Sequence, residues 1–285
     1  MATARSSAAS PPEQRLRQVL LSISRQAERD LMLLSSRHPH TRIHALRVRM
    51  KKLRAILRLI APGLAPATIK AIRRSMRVLK QAFAMHRDQH VLNALLAELG
   101  EGDVVCHKEC IAPENGDGPN GLPGPAQLRR LKATAHALTR RLQTMTLRPL
   151  AWDDIATAYA RRYAKARQWF RRCERKPSAA RLHRWRSPVK DHYFQSLLVL
   201  RDRRHLSASR KLGSLLGQIH DLAMLREHYS HGSSDRLARA IHRQMKTLRA
   251  RIFRKARHLF ALTPGKIARQ TRAAHKIGAK DAIEG

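Results

Sequence analysis

Basic side chains recur along this sequence at the spacing of one face of an α-helix. The clearest stripe comprises His44, Arg47, Lys51, Arg54 and Arg58. Placed at about 100° per residue, its members fall within an arc of about 80°. Like charges three and four residues apart repel one another and weaken a helix, and a face that is merely solvated usually mixes the two signs. The stripe therefore predicts a surface that binds a ligand with several negative charges.

The same arrangement of cations recurs on other predicted helices in both halves of the chain. Each of these segments carries a narrow basic stripe opposite its apolar face. The residues that we predict to bind the anion are His44, Arg47, Lys51, Arg54, Arg58, Arg73, Arg77, Lys80, Arg87, Arg129, Lys132, Arg140, His183, Arg186, Lys190, Arg210, Lys211, Arg239, Arg243, Lys246 and Arg254.

The composition of the whole chain also indicates a polyanionic partner. The 285 residues include 58 Lys and Arg against 20 Asp and Glu, which gives a formal net charge of +38. Arginine supplies 43 of the basic residues, and its planar guanidinium group binds phosphate oxygens in pairs. Composition alone leaves DNA, RNA, an anionic membrane surface and inorganic phosphate polymers open as partners.

Apolar residues at three- and four-residue spacing predict a chain that is helical almost throughout. Because no alternating apolar and polar run indicates a strand, the predicted fold class is all-α. Residues 1–12 are predicted to be a disordered N-terminus, 100–126 a flexible linker and 263–285 a basic tail. The predicted helices span 13–37, 42–60, 66–99, 127–147, 152–175, 180–202, 205–230 and 234–261.

An internal repeat divides the helices into two sets of four. The pattern His-x-x-Arg-x-x-x-Lys occurs at 44–51 and again at 183–190. A second element, 83–92, likewise pairs with 216–225. The sequence therefore predicts a first helical repeat over 13–148, which includes the linker, and a second over 149–262.

These motifs resemble the CHAD domain, whose name stands for conserved histidine α-helical domain. The resemblance rests on His44-x-x-Arg47-Val-x-x-Lys51-Lys52-Leu-Arg54, on Arg87-Asp88-x-x-Val-Leu, and on their recurrence near His183 and Asp221. It covers roughly residues 13–262. It implies two four-helix bundles related by pseudo-twofold symmetry, with basic residues of both halves lining a central cavity or groove. It also implies binding of inorganic polyphosphate and association with polyphosphate granules.

The second copy of the motif departs from the first at three positions. Pro188 lies inside the motif and is expected to kink or restart the helix. Asp191 stands where the first copy has Lys52, and Tyr193 replaces the counterpart of Arg54.

Polyphosphate also fits the chemistry of the residues themselves. It is a flexible polyanion with no bases to read, so it requires many cations and few specific hydrogen bonds. Aromatic residues make up only 4% of the chain, which leaves little for the base-stacking surfaces of single-strand binding. Duplex DNA or structured RNA needs no stacking and stays open as the alternative partner.

The sequence favours a binding protein over an enzyme. Metal-assisted phosphoryl chemistry needs converging carboxylates, and only Asp88 and Asp221 recur between the halves. His86 with His90, and Cys106-His107-x-x-Cys110, lack further ligands, so we predict neither a metal site nor a cofactor. The chain has no apolar run of about 18 residues and no leader-like N-terminus, which predicts no membrane span and a cytoplasmic location.

Overall fold

The computed structural model describes residues 11–35, 39–83, 95–96, 99, 122–200, 202–228 and 235–280. Within these ranges the regular structure is helical, with nine α-helices and no strand, as the sequence predicts. The helices are α1 (Pro12–Met32), α2 (Pro39–Ile60), α3 (Pro66–Gln81), α4 (Pro125–Thr144), α5 (Trp152–Arg175), α6 (Ala179–Val199), α7 (Arg203–His228), α8 (Asp235–Leu259) and α9 (Pro264–Lys280).

Proline and short polar side chains set where these helices begin. Pro12, Pro66 and Pro125 occupy the first turns of α1, α3 and α4, where the missing N–H leaves no partner unsatisfied. Ser178 caps α6 by accepting a 3.2 Å hydrogen bond from the backbone N–H of Arg181. Asp202 caps α7 in the same way, accepting hydrogen bonds from the backbone N–H groups of Arg204 at 2.8 Å and His205 at 3.1 Å.

Helix α2 packs against helices of both halves of the chain. In the first half of the chain, α1 and α3 each pack against α2 and α4. In the second half, α6 packs against α5 and α7, and α8 packs against α7 and α5. Helix α2 also packs against α5 and α6, so it joins the two halves. Its apolar residues Leu53, Leu57 and Ile60 are accordingly buried almost completely.

Helix α6 is one helix from Ala179 to Val199 and does not restart at Pro188, which corrects one of the two expected effects of this proline. Proline inside a helix removes one hydrogen bond and costs about 3 kcal/mol. Here Pro188 is buried, and α6 packs against three neighbouring helices, α2, α5 and α7. Tertiary packing of this extent sustains a helix that its local sequence disfavours.

The basic segment after Thr263 is a helix, α9, which packs along α5. Ile267 and Thr271 are buried, and the Arg272 guanidinium lies 2.6 Å from the Asp153 carboxylate. The predicted single helix over 66–99 is wrong in its length: α3 ends at Gln81, residues 82–83 form a turn, and 95–96 are again helical. Residues 1–10 and 100–121 lie outside the described residues. No helix among the described residues has the length and apolarity to cross a bilayer.

A buried histidine, His192, lies against a half-buried one, His205, in the second half. The Nε2 atoms of His192 and His205 are 2.8 Å apart, and Tyr159 Oη lies 3.5 Å from the first of them. Burial, and then the nearby His205, hold the pKa of His192 well below its ordinary value of 6.5. Burial also lowers the pKa of His205, although the Asp202 carboxylate opposes that shift. Both rings are therefore neutral in the folded protein near pH 7.

The histidine pair predicts loss of stability in mild acid. As the pH falls below the ordinary value of 6.5, the unfolded chain takes up protons that the folded pair does not accept. The unfolding free energy should fall by up to roughly 1.4 kcal/mol per pH unit for each histidine. Urea unfolding between pH 7.5 and pH 5 measures this slope. The variant His205→Gln should show a shallower slope, and an unchanged slope would contradict the assignment.

Candidate functional site: a central cationic cluster

A buried carboxylate holds three arginines at the junction of the two halves. Asp191 lies on α6 and is fully buried. Its Oδ1 accepts from Arg54 Nε at 3.0 Å and from Arg54 Nη2 at 2.7 Å. Its Oδ2 lies 2.8 Å from Arg162 Nη2 of α5 and also accepts from Arg58 Nη1. Because a carboxylate removed from water needs such partners, this contact ties α2 to both α5 and α6.

Three guanidinium groups around one carboxylate leave an excess of positive charge. Burial, followed by the positive charges of Arg162, Arg54 and Arg73, lowers the pKa of Arg58 to about 9. Burial, followed by Arg54 and Arg73, lowers the pKa of Arg162 to about 10. These groups are still charged at pH 7. Burial and the neighbouring cations both disfavour their charged forms, and an added anion would favour those forms.

The crowding extends to further basic residues on α3 and α6. Burial lowers the pKa of Lys80, and the charges of Arg54, Arg47 and Arg186 add to that effect. Burial and then Arg186 lower the pKa of Lys190. We call this set the central cluster; its members are Arg47, Arg54, Arg58, Arg73, Lys80, Arg162, Arg186 and Lys190. The cluster draws on α2 and α3 of the first half and on α5 and α6 of the second.

Two glycines of α7 lie against the cations of α6. A Cβ atom at Gly213 would lie 3.1 Å from Lys190 Cδ, and one at Gly217 would lie 3.5 Å from Arg186 Nη2. One turn further along α7, His220 Nδ1 lies 3.1 Å from His183 Nδ1. The three motif residues of α6 therefore face one side of α7. Lys190 approaches Gly213 more closely than a Cβ atom would readily allow, whereas a Cβ atom at Gly217 would be in ordinary contact with Arg186.

Two adjoining cavities give access to the cluster from solvent. The first has a volume of about 440 Å³ and is lined by Arg58, Ala61, Pro62, Ala158, Arg161 and Arg162. The second has a volume of about 520 Å³ and is lined by Ala61, Leu64, Pro66, Ile69, Lys70, Arg73, Arg74 and Arg77. Ala61 belongs to both linings. The side chains of Arg54, Arg58 and Arg162 are 28%, 31% and 15% exposed, so a ligand can reach them.

One comparison with known proteins gives a match. The sequence matches the family model of the CHAD domain over residues 16–230, most of the chain. The chain belongs to the CHAD domain family. A search of curated proteins and a search of solved structures return no match.

The structure of this CHAD chain brings together seven of the residues that the sequence predicts for the site. These are Arg47, Arg54, Arg58, Arg73, Lys80, Arg186 and Lys190. Arg54 and Arg58 also hold Asp191, a contact that the sequence analysis did not anticipate. Arg77 lines the second cavity.

For the other predicted residues that the structure describes, a part in binding stays a prediction. His44 is exposed and Lys51 half-buried on α2, and His183 is exposed on α6. Arg129, Lys132 and Arg140 lie on α4, whose neighbours are α1 and α3. The predicted residues of α7 and α8 are all exposed: Arg210, Lys211, Arg239, Arg243, Lys246 and Arg254.

Several predicted features fall outside the described residues. These are Arg87, Asp88, the histidines at 86 and 90, and the Cys-His-x-x-Cys segment at 106–110. In the part of the chain that the structure does describe, no group of three or more His, Cys, Asp or Glu residues is placed to hold a metal ion.

Sequence reasoning missed Arg162. On a helical wheel it lies about 280° from Trp152, next to the apolar face of α5, where a cation meets the neighbouring helix. The adjacent Arg161 is exposed, yet it lines the first cavity with Arg58 and Arg162. It therefore borders the cluster.

Arg162 and Arg161 form a matched pair for testing the contact with Asp191. Arg162→Met removes one hydrogen-bonding partner from a buried carboxylate and should lower the unfolding free energy by about 1–3 kcal/mol. Arg161→Met removes the same charge from an exposed position and should change it by less than about 0.5 kcal/mol. Urea unfolding at pH 7 compares the two. Equal losses would mean that the contact between Arg162 and Asp191 does not stabilise the junction.

Proposed function

We propose that this CHAD chain binds inorganic polyphosphate without acting on it, and that the central cluster is the binding site. The observation that carries the proposal is the convergence of eight basic side chains from both halves on one partly buried region. A chain of phosphates carries about one negative charge per unit. It can therefore contact several of these cations at once and relieve their mutual repulsion.

The proposal includes the symmetry implied by the family resemblance. Helices α1–α4 and α5–α8 would form two four-helix bundles related by a pseudo-twofold axis, with the cluster between them. The closed cycle of neighbours within each set supports this grouping. The motif helices α2 and α6 also pack against each other, which supports an axis near their contact.

The burial of the cluster favours a phosphate polymer over duplex nucleic acid. Arg54, Arg58 and Arg162 are less than one-third exposed, and the adjoining cavities hold only about 440 and 520 Å³. A single flexible chain of phosphates can enter spaces of this size, whereas a rigid duplex contacts outer surfaces. The exposed stripes on α4 and α8 are the surfaces through which DNA or RNA would bind, so nucleic acid is the competing ligand in our tests.

A non-enzymatic role is supported by how the central carboxylate is used. Both oxygens of Asp191 accept hydrogen bonds from guanidinium groups, so this group is committed to arginines and not to a magnesium ion. We further propose that the protein is cytoplasmic and associates with polyphosphate granules, as the family resemblance implies.

Two triple variants with the same change in net charge separate the site from overall charge. The first replaces Arg47, Lys80 and Arg186 of the cluster with Gln. The second replaces Lys165, Arg171 and Arg175, which are exposed on α5. The cluster variant should bind polyphosphate at least about tenfold more weakly, because charge-assisted contacts to phosphate are lost. The surface variant should change the affinity by less than about threefold, because charges beyond about 8 Å are screened at physiological salt.

Isothermal titration at matched salt measures both affinities, and helical circular dichroism confirms that each variant is folded. Equal losses in the two folded variants would contradict a designated site and would indicate binding by net charge alone.

A further inference from the structure

Asp191 is an unexpected residue for the centre of a polyanion site. It is fully buried, and its negative charge has the same sign as the proposed ligand. At the matching position of the first motif the chain has Lys52, a cation. The second copy of the motif thus places an acid where the first copy places a base.

The carboxylate already satisfies the three arginines as a bound oxyanion would. It receives two hydrogen bonds from Arg54, one from Arg162 at 2.8 Å and one from Arg58. Because Asp191 is tethered by the backbone, its local concentration is far above that of any free ion. A single orthophosphate or sulfate ion must displace it to reach the same donors.

Steric access does not keep small ions out. The first cavity, of about 440 Å³, is lined by Arg58, Arg161 and Arg162 and is large enough for a phosphate ion. The guanidinium groups are partly exposed, as described above. The guanidinium donors that an entering ion would contact already hydrogen-bond to Asp191.

A polymer is affected differently by the internal carboxylate. Each guanidinium has five donors, so Arg54, Arg58 and Arg162 retain donors beyond those that Asp191 uses. A phosphate chain can engage these and also reach the other cations of the central cluster, Arg47, Lys80, Arg186 and Lys190, without displacing the carboxylate. A single ion gains few of those additional contacts.

We propose that Asp191 is a specificity-determining residue, an internal anion that excludes orthophosphate and similar small oxyanions from the three arginines and so reserves the cluster for polymeric phosphate. The exclusion rests on the geometry around Asp191, and the reservation for a polymer rests on the proposed function.

The variant Asp191→Asn tests the exclusion, with Asp30→Asn as its matched control. Asp30 is a second buried carboxylate paired with arginines, Arg49 at 2.6 Å and Arg42 at 3.7 Å, on α1 and α2. Orthophosphate should bind Asp191→Asn at least about tenfold more tightly than the parent protein. It should raise the melting temperature of this variant by a few degrees at millimolar concentration, since a ligand that binds only the folded state stabilises it. Sodium chloride at equal ionic strength should not do so.

The parent protein and Asp30→Asn should show no comparable shift with orthophosphate. Equal shifts in all three proteins, or no shift in Asp191→Asn, would overturn the exclusion. If Asp191→Asn does not fold in chloride buffer, orthophosphate should restore its helical circular dichroism, and failure to do so counts against the proposal. The double variant Asp191→Asn with Arg58→Gln keeps the net charge of the parent. It should also bind orthophosphate more tightly than the parent, but by a smaller factor than Asp191→Asn alone.

Polyphosphate titrations of the same proteins separate the two proposals. Parent protein that binds polyphosphate, together with Asp191→Asn that gains no orthophosphate binding, would overturn the inference and leave the proposed function standing. Parent protein that does not bind polyphosphate, together with Asp191→Asn that gains orthophosphate binding, would overturn the proposed function and leave the exclusion of small ions standing.

Discussion

The negative charge of Asp191 lies inside the protein, and the arrangement of three helices depends on satisfying it. Its arginine partners come from α2 and α5, while Asp191 itself lies on α6. A buried ion pair adds little stability over an apolar contact of the same shape, but removing one partner is costly. The contact therefore constrains how the halves meet more than it increases their stability. The other cations of the central cluster lie on α2, on α6 and on α3, which packs against α2, so their positions depend on how the halves meet.

The position of α2 follows from the same constraint and explains why the cluster is crowded. One face of α2 packs on α1 and α3, and the helix also contacts α5 and α6, so its basic residues are confined between the halves. Burial and like-charged neighbours lower the pKa values of Arg58, Arg162 and Lys80. The folded protein thus keeps an unfavourable concentration of positive charge. A polyanion that binds there removes repulsion in addition to forming new contacts.

Local patterns were sufficient to predict eight of the nine described helices and much of the cluster, but neither the end of α3 at Gln81 nor the helix α9. The predicted helix over 152–175 has the observed bounds of α5, because an apolar stripe and flanking prolines define both of its ends. The repeated His-x-x-Arg-x-x-x-Lys pattern identified Arg47, Arg186 and Lys190, since a stripe on one helix face can be read from spacing alone. The family match over 16–230 confirms the resemblance on which the polyphosphate hypothesis depends.

What the sequence did not disclose depends on contacts between distant segments. Arg162 joins the cluster because α5 lies beside α2, and no spacing within α5 specifies that neighbour. The continuity of α6 through Pro188 likewise depends on packing against three other helices. The role of Asp191 was hidden for the same reason, because its partners Arg54 and Arg58 are more than 130 residues away in the chain.

The most direct test of the account is a competition between polyphosphate and duplex DNA for the immobilised protein at physiological salt. The two ligands are supplied at equal concentrations of negative charge, so that counterion release alone favours neither strongly. A partly buried cluster that admits a single phosphate chain predicts that polyphosphate displaces DNA while DNA does not displace polyphosphate. If DNA holds its place equally well, the protein binds polyanions through its exposed basic surface, and the central cluster is not the site.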